Sequence, residues 1–183
     1  MGWRIVESRT AFENSLLLLR EMALEAPQGQ PSHYTYLERG PAVMVLPITH
    51  KGEIVLIRRF HFPVDKWCLE LPAMSLPAGQ EKPLHTMVAR ELEEDIGGCF
   101  DALEEIGSFN PYPALTDECC HVFLTVGVSM RIPPPPVEGE ESRTVRLPVG
   151  EVIRRVRRGE ISNGPTAFAL LLCEPRLREL GFI

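Results

Sequence analysis

Apolar residues run along this chain in two rhythms. Residues 42–48 and 53–60 are dense β-favouring runs joined by His50-Lys51-Gly52, and short apolar runs closed on a glycine turn predict a buried hairpin. Residues 67–71 predict another strand, ended by Pro72. From Leu84 the spacing becomes helical and stays so to Ile96, with Pro83 suited to the first turn and Gly97-Gly98 to the end. Residues 103–109, 121–128 and 144–147 predict further strands, and 149–158 and 165–172 predict closing helices. Before the last of these strands, Pro133-Pro134-Pro135-Pro136 predicts a stiff, extended spacer. The order is β-rich, helix, β-rich, helix, with no internal repeat. It predicts an α/β (α+β) fold, an α/β/α sandwich around a mixed sheet.

Residues 1–40 read as a small β-rich unit of their own. Residues 7–25 mix the block Leu16-Leu17-Leu18-Leu19 with charges, a loop follows at Pro27–Pro31, and 33–37 predict a strand. Two or three strands bury little by themselves. The unit is therefore expected to pack on the main domain, residues 41–183, or on a second subunit.

The predicted helix places its charges unusually. At about 100° per residue, with Leu84 at zero, Val88, Leu92 and Ile96 fall near 40°, 80° and 120°, and Met87 near 300°. Glu91 and Asp95 then fall at about 340° and 20°, inside the apolar arc. Glu94 lies on its edge, at about 280°, and Glu93 points away, at about 180°. Carboxylates buried together repel and are costly to desolvate unless a cation sits between them. A hard divalent cation with oxygen ligands is the natural neutraliser.

Composition narrows the rest. With 183 residues, 44% of them hydrophobic, the chain can build one domain with a small appendage. No apolar run is long enough to span a bilayer, and residues 1–7 lack a signal-peptide layout. Five cysteines, Cys68, Cys99, Cys119, Cys120 and Cys173, are odd in number and show no C-x-x-C spacing. A reducing cytoplasm is expected, rather than a disulfide framework or a structural zinc site. A net charge of −6 argues against a sequence-independent nucleic-acid binder. Nucleotides remain open, since metal and a few arginines can handle their phosphates.

The stretch Arg90-Glu91-Leu92-Glu93-Glu94-Asp95-Ile96-Gly97 resembles the second half of the Nudix box, G-x5-E-x7-R-E-U-x-E-E-x-G-U, where U is a bulky aliphatic. Asp95 takes the place of the last Glu, and Gly98 that of the final aliphatic. The flanking motifs are similar to one Nudix branch, the ADP-ribose pyrophosphatases, which carry R-Q-Y-R-x-P, L-E-(L/V)-P-A-G, F-x-P-S-P-G-x-S-D-E, an acidic loop, V-x-L-P and G-E-I. Here Arg58-Arg59-Phe60-His61-Phe62-Pro63, Leu69-Glu70-Leu71-Pro72-Ala73 and Phe109–Glu118 follow in that order. After them come Glu138-Gly139-Glu140-Glu141, Val145-Arg146-Leu147-Pro148 and Gly159-Glu160-Ile161.

The resemblance implies a Nudix fold and magnesium-dependent hydrolysis of a nucleoside diphosphate derivative, with Mn²⁺ as a substitute ion. ADP-ribose, giving AMP and ribose 5-phosphate, or a related nucleotide sugar would be the substrate. Glu91 and Asp95 would be principal metal ligands, Glu94 a further ligand or water-holder, and the Ala73 carbonyl another ligand. Glu70, with Arg58 and His61, would contact the substrate, and Glu118 would help position the site. Glu140 would activate the attacking water, with Glu141 its nearest competitor. The N-terminal region would join a homodimer, Trp3, Tyr34 and Tyr36 serving as packing or stacking residues. No nucleic-acid or membrane partner is expected.

The first half of the box departs from the pattern. Met74 stands where the family has Gly, two extra residues separate Gly79 from Arg90, and Lys82 replaces the expected Glu. His61 replaces the second Arg of R-Q-Y-R. The competing expectation is therefore a Nudix-fold module that binds a nucleotide or a partner and turns over poorly.

Overall fold

The structure, a computed structural model, describes residues 2–15, 17–130 and 143–183. The prolines at 133–136 and the acidic residues Glu138, Glu140 and Glu141 lie outside them. By its internal contacts the chain divides into two compact units. The larger comprises Val43–Met74, Lys82–Ser108 and His121–Ile183, the smaller Met1–Ala42, Ser75–Glu81 and Phe109–Cys120.

The expected hairpin is the middle of the large sheet, as β4 (Ala42–Thr49) and β5 (Glu53–His61). Every residue of β4 is buried. A strand covered on both faces needs no polar alternation, so it reads as one apolar run. β5 is buried from Ile54 to Ile57 and then emerges, Arg58 being exposed. A turn of 3₁₀ helix at Phe62–Val64 leads into β6 (Lys66–Glu70), which returns antiparallel with Ile57 opposite Glu70 and Phe60 opposite Trp67.

The remaining strands are β7 (Ala73–Ser75), β8 (Gly98–Cys99), β9 (Ala102–Phe109), β10 (Cys120–Met130) and β11 (Arg143–Pro148). The sheet runs β11-β5-β4-β10-β8, with β6 on β5, β7 on β4 and β9 on β10. With the helices α1 (Leu84–Ile96), α2 (Val149–Arg157) and α3 (Gly164–Glu179) it makes the expected α/β fold with a mixed sheet. The short β7 and β8 had no signature of their own, because two or three residues cannot show a period.

α1 buries Met87, Val88, Glu91, Leu92 and Ile96 and exposes Arg90, Glu93 and Glu94. Pro83 sits at its cap, one place earlier than expected, and Gly97 ends it at φ 61°. That left-handed conformation costs glycine nothing and lets its N–H satisfy the carbonyls of Glu93 and Leu92. α3 runs past the expected residue 172, through Pro175 to Glu179. Pro175 forgoes one hydrogen bond, but Cys173 and Leu177 continue the buried face begun by Ala169 and Leu170, and that burial carries the helix on.

In the smaller unit β1 (Arg4–Glu13), β2 (Leu18–Glu25) and β3 (Pro31–Glu38) form an antiparallel sheet in that order. All ten residues of β1 are exposed. Arg4–Glu25 and Arg9–Glu21 pair across β1 and β2, and Arg20 pairs with Glu38. Residues 109–120 lie along β3, the Leu37 N–H donating to the Leu115 carbonyl at 2.7 Å and the Tyr34 hydroxyl to the Ala114 carbonyl at 2.8 Å. Among the described residues no helix is long and apolar enough to cross a membrane.

The two faces of α1 should differ sharply in a stability measurement. Leu92→Ala is expected to cost about 2–5 kcal/mol in urea unfolding, and Glu93→Ala less than about 0.5 kcal/mol. Equal costs would mean that the burial assigned to the helix is wrong.

Candidate active site

The helical register of α1 brings Glu91 and Asp95 together one turn apart. Glu91 is only 4% exposed, and Asp95 is partly buried beside it. Burial, then the Asp95 charge and a hydrogen bond shared with Asp95, push the Glu91 carboxyl up to about 8. The nearby Arg59 guanidinium and a hydrogen bond from the Ala73 backbone N–H pull the other way. Burial prevails because a desolvated carboxylate is costly, and the Asp95 charge beside it adds to that cost. Ala73 begins β7, immediately after Pro72, which is how its backbone comes to lie against α1.

A third acid, Glu70 at the end of β6, is 6% exposed and held on both oxygens. Its Oε1 lies 3.2 Å from Arg59 Nη1. Its Oε2 lies 2.7 Å from His61 Nε2 and accepts from Asn163 Nδ2 at 3.1 Å. Strand alternation explains the company: Arg59 and His61 are two apart on β5 and share the face of Ile57, opposite which Glu70 pairs. Arg59 Nη2 in turn lies 3.3 Å from Asp95 Oδ1. One guanidinium thus joins Glu70 to the Glu91–Asp95 pair.

The other expected site residues fall elsewhere. Arg58, on the opposite face of β5 from Arg59, stacks over the Trp67 ring with its guanidinium carbon 4.4 Å from the centroid. Glu94 is half exposed and accepts from Arg90 Nε at 2.7 Å. This also supplies Arg90 with a partner in a chain that has Lys82 where the box has Glu. Glu118 belongs to the smaller unit, where its carboxylate accepts from Ser75 Oγ at 2.6 Å and lies 3.6 Å from Arg39 Nε. Glu140 is outside the described residues.

Two members of the cluster escaped the sequence reading. Arg59 was legible by parity, since it shares His61's side of a strand, but the motif drew attention to Arg58. Asn163 is the cap of α3, its Oδ1 accepting from the Thr166 N–H at 3.0 Å. Asn163-Gly164-Pro165-Thr166 is a helix-start signature, yet nothing in it says that Nδ2 reaches Glu70.

Among the described residues no three Asp, Glu, His or Cys side chains converge as a ready ligand set. The donors present are two carboxylates and the backbone beside them. That suits magnesium, which takes one or two carboxylates and fills its octahedron with water and substrate phosphate oxygens. The raised Glu91 carboxyl points the same way, because a site short of positive charge holds on to a proton.

Without a dication, folding should therefore depend on pH through Glu91. Its carboxyl titrates near 8 when folded and near the ordinary 4.5 when unfolded. Between those values the folded chain holds the extra proton, so the contribution of Glu91 is greatest below 4.5 and is lost as pH rises through 8. The decline is at most about 1.4 kcal/mol per pH unit. Urea midpoints in EDTA should fall more steeply with pH for the wild type than for Glu91→Gln, and Mn²⁺ should restore the wild type at high pH. Parallel curves for the two proteins would refute this.

Known proteins resemble this chain in both sequence and fold. The family model of the NUDIX domain matches residues 38–166. The ADP-ribose pyrophosphatase of Bacillus subtilis (strain 168) is 27% identical over 168 residues, covering 91% of this chain and 90% of that protein. The methanol dehydrogenase activator of Bacillus methanolicus is 25% identical over the same coverage of both chains. The crystal structure of an ADP compounds hydrolase shares the fold at a TM-score of 0.83, with 19% identity over 100% of this chain and 98% of that one. The domain model spans most of the chain and encloses the helix on which Glu91 and Asp95 meet, and this chain belongs to the Nudix family.

Proposed function

We propose that this Nudix protein is a magnesium-dependent pyrophosphohydrolase that cleaves ADP-ribose, or a related nucleotide sugar, to a nucleoside monophosphate and a sugar phosphate. The observation that carries the proposal is the Glu91–Asp95 pair, buried on the box helix against the backbone of Ala73. The full-length likeness to an ADP-ribose pyrophosphatase supports the substrate class.

Glu91, Asp95 and the Ala73 carbonyl would hold Mg²⁺ or Mn²⁺, which when bound supplies neutralisation of the diphosphate and acidification of a water. Glu94 would join as a further ligand or water-holder on leaving Arg90. With Glu70 engaged on both oxygens, His61 is the exposed side of that pair and would meet the substrate. Glu140 would take the proton of the attacking water as general base, an assignment made from its place in the sequence. Glu118 would help to position the site, an assignment made from its place in the sequence.

The N-terminal sheet would be the contact of a homodimer. β1 exposes Ile5, Val6 and Phe12, and Trp3 just before it is 58% exposed. A strand that uncovered calls for a second surface. The free cysteines suit a reducing cytoplasm, where we place the protein.

A nucleotide- or partner-binding module with weak turnover is the competing reading. It is favoured by the pairing of Glu94 with Arg90, away from the acid pair, and by the damaged first half of the box. Phosphatase-coupled phosphate release across a panel of nucleotide sugars, with and without Mg²⁺, decides between them. The hydrolase should release phosphate from ADP-ribose only with the metal, and Glu91→Gln should lower the rate more than about 100-fold. A ligand-induced rise in Tm without product at any metal concentration would establish the binding module instead. Light scattering should give twice the chain mass, and a monomer at micromolar concentration would remove the dimer.

A further inference from the structure

Glu70 is anchored by three side chains from two elements. Arg59 and His61 reach it from β5, and Asn163 reaches it from the cap of α3. Asn163 is itself fixed, because its Oδ1 is occupied by the Thr166 N–H. The Thr166 Oγ1 accepts in turn from the Leu71 N–H at 3.1 Å, one residue after Glu70. Glu70 is therefore a stationary point. The Arg59 fork spans from it to Asp95, Nη2 lying 3.3 and 3.5 Å from the two Asp95 oxygens.

We propose that Arg59 is a positioning residue of the candidate metal site: it fastens Asp95 to the anchored Glu70, so that the carboxylate is presented beside Glu91 in one orientation. Asn163 supports it by holding Glu70. The proposal rests on the reading of Glu91 and Asp95 as cation ligands.

Two physical effects of Arg59 oppose each other here. A planar two-pronged guanidinium orders a carboxylate and lowers the entropy lost on coordination. Its positive charge also repels an incoming dication. Positioning predicts weaker metal binding once Arg59 is removed, and a mere counter-charge predicts tighter binding.

Mn²⁺ titration of the full chain without nucleotide, followed by electron paramagnetic resonance, separates the two. Arg59→Gln should weaken Mn²⁺ binding at least about tenfold, the range for groups that orient metal ligands. Arg59→Lys keeps the charge but not the fork and should recover only part of the loss. Asn163→Ser keeps a good helix cap while losing the donor to Glu70, so it should weaken Mn²⁺ a few-fold with Tm within about 3 °C of wild type. If Arg59→Gln fails to fold, the other two variants carry the test. Unchanged or tighter Mn²⁺ binding in the folded variants overturns the proposal. Binding abolished by Glu91→Gln but indifferent to Arg59 overturns this proposal alone, whereas no Mn²⁺ uptake by the wild type overturns the cation reading beneath it.

Discussion

Two carboxylates one helical turn apart, turned toward the protein interior, repel each other and resist losing water. In this chain Glu91 and Asp95 are held in that relation by α1, whose Val88, Leu92 and Ile96 are buried almost completely. The apolar face cannot be buried without carrying Glu91 in with it. Hydrophobic burial, at about 25 cal/mol per Å² of apolar surface, thus enforces a contact that electrostatics opposes. The stress is visible in the Glu91 carboxyl, which keeps its proton to about 8. A site strained in this way is relieved by positive charge.

The surrounding fold limits which positive charges can reach it. β5 leaves the core at Ile57, and pleating sends Arg59 and His61 to one side and Arg58 and Phe60 to the other. The inward pair meets Glu70 on β6, and the outward pair meets Trp67. One cation near the acids is thus covalently part of the protein and holds two of them, Glu70 and Asp95, in register. It leaves Glu91 only partly compensated. The proposed magnesium ion would supply the charge that remains, together with the phosphate oxygens that complete its shell.

Much of this was legible in the residues. The β4–β5 hairpin, the extent of α1 and the burial of Glu91 follow from period and turn chemistry, which are local properties. Asp95 was legible for the same reason. What escaped depends on partners distant in sequence. Pro175 marks an end for α3 by any local rule, and only the burial of Cys173 and Leu177 against the rest of the domain overrides it. Asn163 reads as a cap and nothing more until β6 delivers Glu70 to its amide 93 positions away. Arg58 carried the motif, yet its neighbour reached the acids, because one residue along a strand is the difference between its two faces.

By itself the sequence determined most of the longer elements of the main domain, the acidic stripe on a buried helix face, and with them the family. A period of 3.6 or 2 and a short motif are written in neighbouring residues and survive without knowledge of the fold. Helical register by itself sets Arg90 against Glu94, four residues on, but tertiary structure alone decided the pairs between elements: Arg59 with Glu70 and Asp95, and Glu118 with Arg39. Such ion pairs act over a few ångströms in space and take no account of distance along the chain, so they exist only once strands and helices have been packed.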